Sequence, residues 1–197
     1  LQELKNNISP QLEILSVIRD ELPEDGFFVD EVTQVGFASW YAFPCYLPRH
    51  FITSGYQGNL GYGYATALGV KAANPDKKVV TISGDGGFMY QAQELATAVK
   101  YGLDVVAIVF NNNCYGNVKN DLELMFDGQS IGTSLHNPDF VKFAESFGVL
   151  GFRASNTSEL RSALKLAFNE AGPTLIEMSV GKMPRPWPYI NLPKCRG

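Results

Sequence analysis

The run Lys78-Val79-Val80-Thr81-Ile82-Ser83-Gly84-Asp85-Gly86-Gly87-Phe88, followed by Val105-Val106-Ala107-Ile108-Val109-Phe110-Asn111-Asn112-Asn113-Cys114-Tyr115-Gly116, decides the fold. Each begins as a short β-branched apolar run, the pattern of a parallel strand buried on both faces. Between them, Tyr90 to Tyr101 places Leu95, Ala96, Ala98 and Val99 at helical spacing, so the unit is predicted as β-α-β with a right-handed crossover. The carboxyl ends of adjacent strands in such a sheet open on one crevice where ligands bind. Asp85 and Asn112 are therefore expected to face the same ligand.

The glycines of the first turn set its chemistry. Gly84, Gly86 and Gly87 allow a sharp turn and close approach of the backbone to a ligand, and the helix that follows points unpaired N–H groups at it. An anion there gains about 0.3–1 kcal/mol per charge at low ionic strength. The chain carries a net charge of -4, and Asp85 adds a negative charge to the site itself. A diphosphate therefore calls for a cation, and Mg²⁺ suits a carboxylate, an amide oxygen and a backbone carbonyl shared with phosphate oxygens.

Working outward, the sequence predicts a helix over 10–21, a strand over 27–30, a loop and helix, a strand over 51–53 and a helix over 62–73. Beyond Gly116 it predicts an irregular segment to His136, then a helix over 138–147 and a short strand over 150–153. A helix over 158–170 capped by Gly172 and a strand over 174–180 complete the order. The tail Met183-Pro184-Arg185-Pro186-Trp187-Pro188 is expected to lie extended, because its prolines remove donors. The fold class is α/β, a three-layer doubly wound and mostly parallel sheet, with residues 1–197 as a single domain.

Composition excludes several classes. Hydrophobic content of 45%, charged content of 18% and mean hydropathy of -0.06 suit a soluble globular domain, expected to be cytoplasmic. No apolar run approaches the roughly 18 residues of a membrane span, and no basic patch with interleaved aromatics points to nucleic acid. Cys45, Cys114 and Cys195 are odd in number and widely spaced, so reduced thiols are expected rather than disulfides or a zinc knuckle. His50 and His136 have no ligand-spaced partners. The aromatic run from Phe37 to Phe51, with Trp40, Tyr41, Phe43 and Tyr46, predicts association with a partner.

The ordered set formed by Gly84-Asp85-Gly86, the Gln93-Glu94-Leu95 helix and the strand ending in Asn111-Asn112 with Tyr115-Gly116 resembles the diphosphate-binding motif of thiamine-diphosphate-dependent enzymes. It is most similar to the group holding acetolactate synthase, benzoylformate decarboxylase and pyruvate decarboxylase. The likeness runs from Ile8-Ser9-Pro10-Gln11 through Asn137-Pro138-Asp139-Phe140-Val141 to Gly172-Pro173-Thr174-Leu175-Ile176-Glu177.

The resemblance implies thiamine diphosphate and Mg²⁺ as cofactors. Asp85, the Asn112 side chain and the Cys114 carbonyl would hold the metal, and Gly84, Gly86, Gly87, Tyr115 and Gly116 would surround the diphosphate. Thr33 and Gln34 lie where the family's first loop touches the diphosphate. Leu60 would be the apolar wedge that bends the cofactor, and the Gly58 carbonyl would accept a hydrogen bond from its 4'-amino group. Glu94, by contrast, reads as a structural helix residue. The implied activity is that of a 2-oxoacid decarboxylase or carboligase, a lyase or transferase.

In acetolactate synthases the positions of Asn117 and Asp121 usually carry methionine and tryptophan and contact the ketoacid, so the polar residues here leave the substrate open. The activating glutamate of the group belongs to a separate pyrimidine-binding domain, which places catalytic residues outside these 197. That domain, on the same or another chain, is the expected partner within a homodimer or homotetramer. Two other readings stand beside this one: a nicotinamide-dinucleotide domain, with Gly61, Gly63 and Ala65 as a loose fingerprint and Asp85 as ribose ligand, and a non-catalytic thiamine-diphosphate-binding homologue.

Overall fold

The computed structural model describes residues 2–190. In chain order the elements are α1 (Gln2–Glu21), β1 (Phe27–Val29), α2 (Gln34–Ala42), β2 (Phe51–Ile52), α3 (Tyr62–Ala73), β3 (Val79–Gly84) and α4 (Asp85–Phe88). They continue as α5 (Leu95–Tyr101), β4 (Val105–Asn111), α6 (Gly116–Met125), α7 (Phe140–Ser146), β5 (Leu150–Ala154), α8 (Thr157–Asn169), β6 (Thr174–Ser179) and α9 (Trp187–Ile190).

The strands form a six-stranded sheet in the order β2-β1-β3-β4-β6-β5, and every pairing is parallel. The β3–β4 register runs from Val79 opposite Val105 to Gly84 opposite Phe110. That register brings the Gly84 turn and the Asn111 turn to the same edge of the sheet.

Alternate side chains of the central strands feed two cores, which is why their sequences are largely apolar. Phe28, Val80, Ile82, Val106, Ile108 and Ile176 pack under α1, α2 and α8. On the opposite face Val29, Val79, Val105, Ala107, Val109 and Leu175 pack under α3, α5 and α7. Fully burying side chains of this size stabilises by about 1.5–3 kcal/mol each, so the central strands form a rigid base for the turns at their ends.

Four expectations are corrected. Residues 116–125, expected to be irregular, form α6. The helix expected over 90–101 begins only at Leu95, after a separate 3₁₀ turn at Ala92–Glu94. Helix α8 ends at Asn169 with Glu170 as its extended cap, not at Gly172. The tail is not extended throughout: Trp187–Ile190 makes one helical turn, with Pro188 in the first turn, where its missing N–H has no intrahelical partner to lose. Cys195 lies outside the described residues.

The aromatic run divides between core and surface. Phe37 and Phe43 are buried, with Phe43 stacked 4.0 Å from Phe28, so only Trp40, Tyr46 and Leu47 of that stretch are exposed large apolar side chains. His50 stacks on Phe27 with ring centroids 4.1 Å apart, a packing role. None of the described helices is long and apolar enough to cross a membrane.

Asp30, at the end of β1, is 1% exposed. The Trp40 indole N–H donates to its Oδ2 at 2.6 Å, whereas Oδ1 has no protein partner. Burial raises its pKa from 3.8 to about 6, outweighing the hydrogen bonds that oppose the shift. Because the folded value lies above the unfolded one, its contribution to stability is full below pH 3.8 and is lost as pH rises through about 6. Asp30→Asn is accordingly expected to raise the denaturation midpoint more near pH 8 than near pH 5, measured by urea unfolding. A variant that kept the wild-type pH dependence would contradict this.

Candidate functional site

β1 and β3 are neighbours, yet the chain leaves β1 outward through α2 on one face and returns through α3 on the other. That reversal is the switch point at which α/β sheets bind ligands. The turns after β1, β3 and β4 meet there around a cavity of about 460 Å³, within the roughly 300–1,000 Å³ usual for ligand pockets. Every residue named from the sequence for diphosphate, pyrimidine or metal lines this cavity, and so does Asn117. Asp121 does not.

Asp85 opens α4 directly after β3 and is 2% exposed. Its Oδ1 accepts the Gly86 N–H at 2.9 Å, and its Oδ2 accepts from Asn137 Nδ2 at 2.7 Å. Asn137 Nδ2 also lies 2.9 Å from Asn111 Oδ1, so this one amide ties the β3 turn to the β4 turn. The Asn112 Oδ1 accepts the Cys114 N–H at 3.2 Å. The segment is held from outside by residues 133–135: Tyr115 N–H donates to Thr133 O at 2.9 Å and Leu135 N–H to Asn113 O at 2.8 Å.

Asp85 Oδ1 and Oδ2 and Asn112 Oδ1 each accept one protein donor and keep a free lone pair. The set is hard: one carboxylate, one amide oxygen and one carbonyl. Among the described residues no three His, Cys, Asp or Glu side chains gather to hold a metal. A cation here would therefore draw its remaining oxygens from the ligand and water. Burial and the nearby Asp85 charge raise the Cys114 thiol above its ordinary value, which disfavours a thiolate ligand and agrees with a role for its carbonyl instead.

Leu60 is 37% exposed on the cavity wall, an unusual setting for a leucine that serves only as core packing. Gly61, at φ +81°, turns the chain from this wall into α3. Behind the wall lies a residue that the sequence reading missed, Glu31. It is 2% exposed, its Oε1 accepts the Gly61 N–H at 2.8 Å, and its Oε2 accepts the Gly63 N–H at 3.0 Å and the Ser83 hydroxyl at 2.8 Å. Burial raises its pKa, against these three hydrogen bonds.

Thr33 caps α2, its hydroxyl accepting the Val35 N–H at 3.3 Å. Gln34 donates through Nε2 to Asn117 Oδ1 at 3.3 Å and leaves its own buried Oε1 without a protein partner. Asn117 in turn donates to Asp121 Oδ2 at 3.1 Å and accepts the Trp187 indole N–H at 2.9 Å. Arg185 donates to Asp121 Oδ1 at 2.8 Å. The tail thus pins α6 from outside, and Asp121 faces the tail rather than the cavity. Glu94 accepts the Thr97 hydroxyl at 2.6 Å, away from the cavity, as a structural residue would.

The dinucleotide alternative meets an obstacle here. The N–H groups of Gly61 and Gly63, which would receive a pyrophosphate at the start of α3, are already taken by the Glu31 carboxylate. A second anion at that helix end would meet a buried like charge. At the α4 turn Glu31 takes no N–H group; the Gly86 N–H goes to Asp85, a charge that a cation can bridge.

Residues 31–178 match the family model described as thiamine pyrophosphate enzyme, C-terminal TPP binding domain. The acetolactate synthase large subunit of Haemophilus influenzae is 44% identical over 123 residues, 62% of this chain and 22% of that protein. A probable acetolactate synthase large subunit of Methanococcus aeolicus is 35% identical over 170 residues, 85% of this chain and 28% of that protein. A probable 2-ketoarginine decarboxylase of Pseudomonas aeruginosa is 35% identical over 167 residues, 84% of this chain and 30% of that protein. Among solved structures, the thiamine diphosphate-dependent 4-hydroxybenzoylformate decarboxylase of Rhodococcus jostii RHA1 superimposes with a TM-score of 0.80 at 29% identity, over 87% of this chain and 32% of that one. The chain spans about a third or less of the length of these relatives.

Asn137 carries the junction between the β3 and β4 turns, so its loss leaves a buried carboxylate short of a donor. Asn137→Ala is expected to lower the unfolding free energy by about 1.5–3 kcal/mol, the range for hydrogen bonds to charged groups. Denaturant titration reads this directly, and an unchanged midpoint would show that Asp85 does not depend on Asn137.

Proposed function

This chain belongs to the thiamine pyrophosphate enzyme family through its TPP-binding domain, and from that premise we propose that it anchors the cofactor's diphosphate through Mg²⁺ as part of a 2-oxoacid decarboxylase or carboligase. The observation that carries the reading is the convergence of three turns far apart in sequence, 58–60, 84–87 and 112–117, on one cavity at the switch point of the sheet. Nothing in core packing requires an acid, an amide oxygen, glycine N–H groups and a half-exposed leucine to meet there.

In this reading Asp85 Oδ, Asn112 Oδ1 and the Cys114 carbonyl supply the protein ligands of Mg²⁺. The Gly87 N–H would hold the diphosphate, and the Gly86 N–H, which donates to Asp85 Oδ1, would join it by sharing that bond. Thr33 and Gln34 border the same group, the unpartnered Gln34 Oε1 being free for a ligand donor. Leu60 would support the cofactor's ring half, and the Gly58 carbonyl would accept a hydrogen bond from its aminopyrimidine. When bound, thiamine diphosphate supplies the electron sink for the carbanion left as a 2-oxoacid loses CO₂.

The acid that activates the aminopyrimidine comes from another domain. Of the carboxylates near the cavity, Asp85 is committed to the metal and Glu31 already accepts three hydrogen bonds. Glu123, on the rim, is paired with Lys182 at 3.1 Å. A pyrimidine-binding domain, of this or a partner chain in a homodimer or homotetramer, completes the site against the exposed Leu60, Met89 and Tyr90. The wall at Asn117 is polar, and Asp121 supports it from the second layer. This favours a 2-oxoacid with a hydrogen-bonding side chain over one with a purely apolar side chain.

Asp85→Ala is expected to abolish Mg²⁺-dependent binding of thiamine diphosphate, since the diphosphate loses its bridging cation beside an acidic protein. Titration calorimetry with and without Mg²⁺ tests it. Unchanged affinity in the variant would overturn the metal assignment.

A further inference from the structure

Glu31 lies where four parts of the site cross. It follows β1, its carboxylate receives two N–H groups from the start of α3, it receives a hydroxyl from Ser83 on β3, and its Oε1 abuts Gly87 in α4. The last contact is close: a Cβ built on Gly87 would lie 2.0 Å from Glu31 Oε1 and 3.5 Å from Leu60 Cδ2. The carboxylate is thus wedged between the turn that carries Leu60 and the turn that carries Asp85, and touches the backbone of both. It does not line the cavity itself.

Three donors reach two oxygens here, so the site is built for the carboxylate form. An amide in its place presents an NH₂ group to at least one N–H or O–H donor, and that pair must separate. The turn most exposed to such a change is Gly58–Gly61. It is an irregular segment with two left-handed glycines, Gly58 at φ +57° and Gly61 at φ +81°, and its tie to the sheet runs through Glu31. The Gly84–Gly87 turn keeps independent support from β4 pairing and from Asn137.

We propose that Glu31 is a positioning residue: by clamping Gly61, Gly63 and Ser83 it fixes the Leu60 turn against the diphosphate turn and so sets the bent shape in which the cofactor is held. This rests on the cofactor reading above and adds a role to a residue that contacts neither metal nor cofactor. The clamp acts on the ring half of the cofactor and spares the diphosphate half.

That division supplies the test. Titration calorimetry on the complete protein, with Mg²⁺ present, compares two probes, thiamine diphosphate and inorganic pyrophosphate. For Glu31→Gln the affinity for thiamine diphosphate is expected to fall by about 10–100-fold, the usual size for loss of an orienting partner behind a ligand, while pyrophosphate affinity stays close to wild type. Ser83→Ala, which removes one donor and leaves the carboxylate in place, is expected to show the same selectivity with a smaller loss and serves where Glu31→Gln folds poorly. Equal losses for both probes would reduce Glu31 to general structural support and overturn the proposal, as would unchanged affinity for thiamine diphosphate. Wild-type protein that bound neither probe would instead overturn the cofactor reading, and this proposal with it.

Discussion

A carboxylate removed from water must find donors, and at the end of β1 that requirement organises the site. Glu31 is satisfied only if the start of α3 and the end of β3 both approach it, and Gly87 of α4 packs against the same carboxylate. Leaving such a group unpaired costs several kcal/mol, so the approach of these segments is enforced by the same physics that forbids an unsatisfied buried charge. The glycines at 63 and 87 follow from it, because a side chain at either would collide with Glu31.

The sheet beneath makes the arrangement rigid. Apart from the buried Thr81, β3 is apolar up to Ser83 and β4 up to Phe110, their side chains divided between two cores, and their register brings Gly84 level with Phe110. Chemistry begins one residue later on each strand, at Asp85 and Asn111. The same order of events is expected in the relatives that match over most of this chain, including the decarboxylase whose backbone superimposes with a TM-score of 0.80.

Much of this was legible in the sequence, for identifiable reasons. Strands β3 and β4 announce themselves through short apolar runs rich in β-branched residues, and α3 lies at the bounds expected from the sequence. Helix α6 was missed although Val118, Leu122 and Met125 stand at helical spacing: no side-chain cap opens it, and in the fold Val118 and Met125 are exposed while Asn120 is the buried residue. The helix expected from Tyr90 was broken by the turn and 3₁₀ segment that carry the chain from α4 to α5. Glu31 and Asn137 were invisible because their partners are set by tertiary structure, 30 to 52 residues away. An acid following a short strand reads as a cap or a surface residue until the fold brings α3 onto it. The distinction between Asn117, which lines the cavity, and Asp121, which faces the tail, likewise depends on where Arg185 and Trp187 dock.

The central claim is that Asp85, Asn112 and the Cys114 carbonyl are three faces of one cation site bridging to a diphosphate. The most direct measurement is a crystal structure of the protein with thiamine diphosphate and Mn²⁺ in place of Mg²⁺, read from the anomalous signal of the metal. The account predicts one manganese peak bonded to all three of these oxygens and to the diphosphate. A peak elsewhere, or cofactor bound at the start of α3 with no metal beside Asp85, would contradict it.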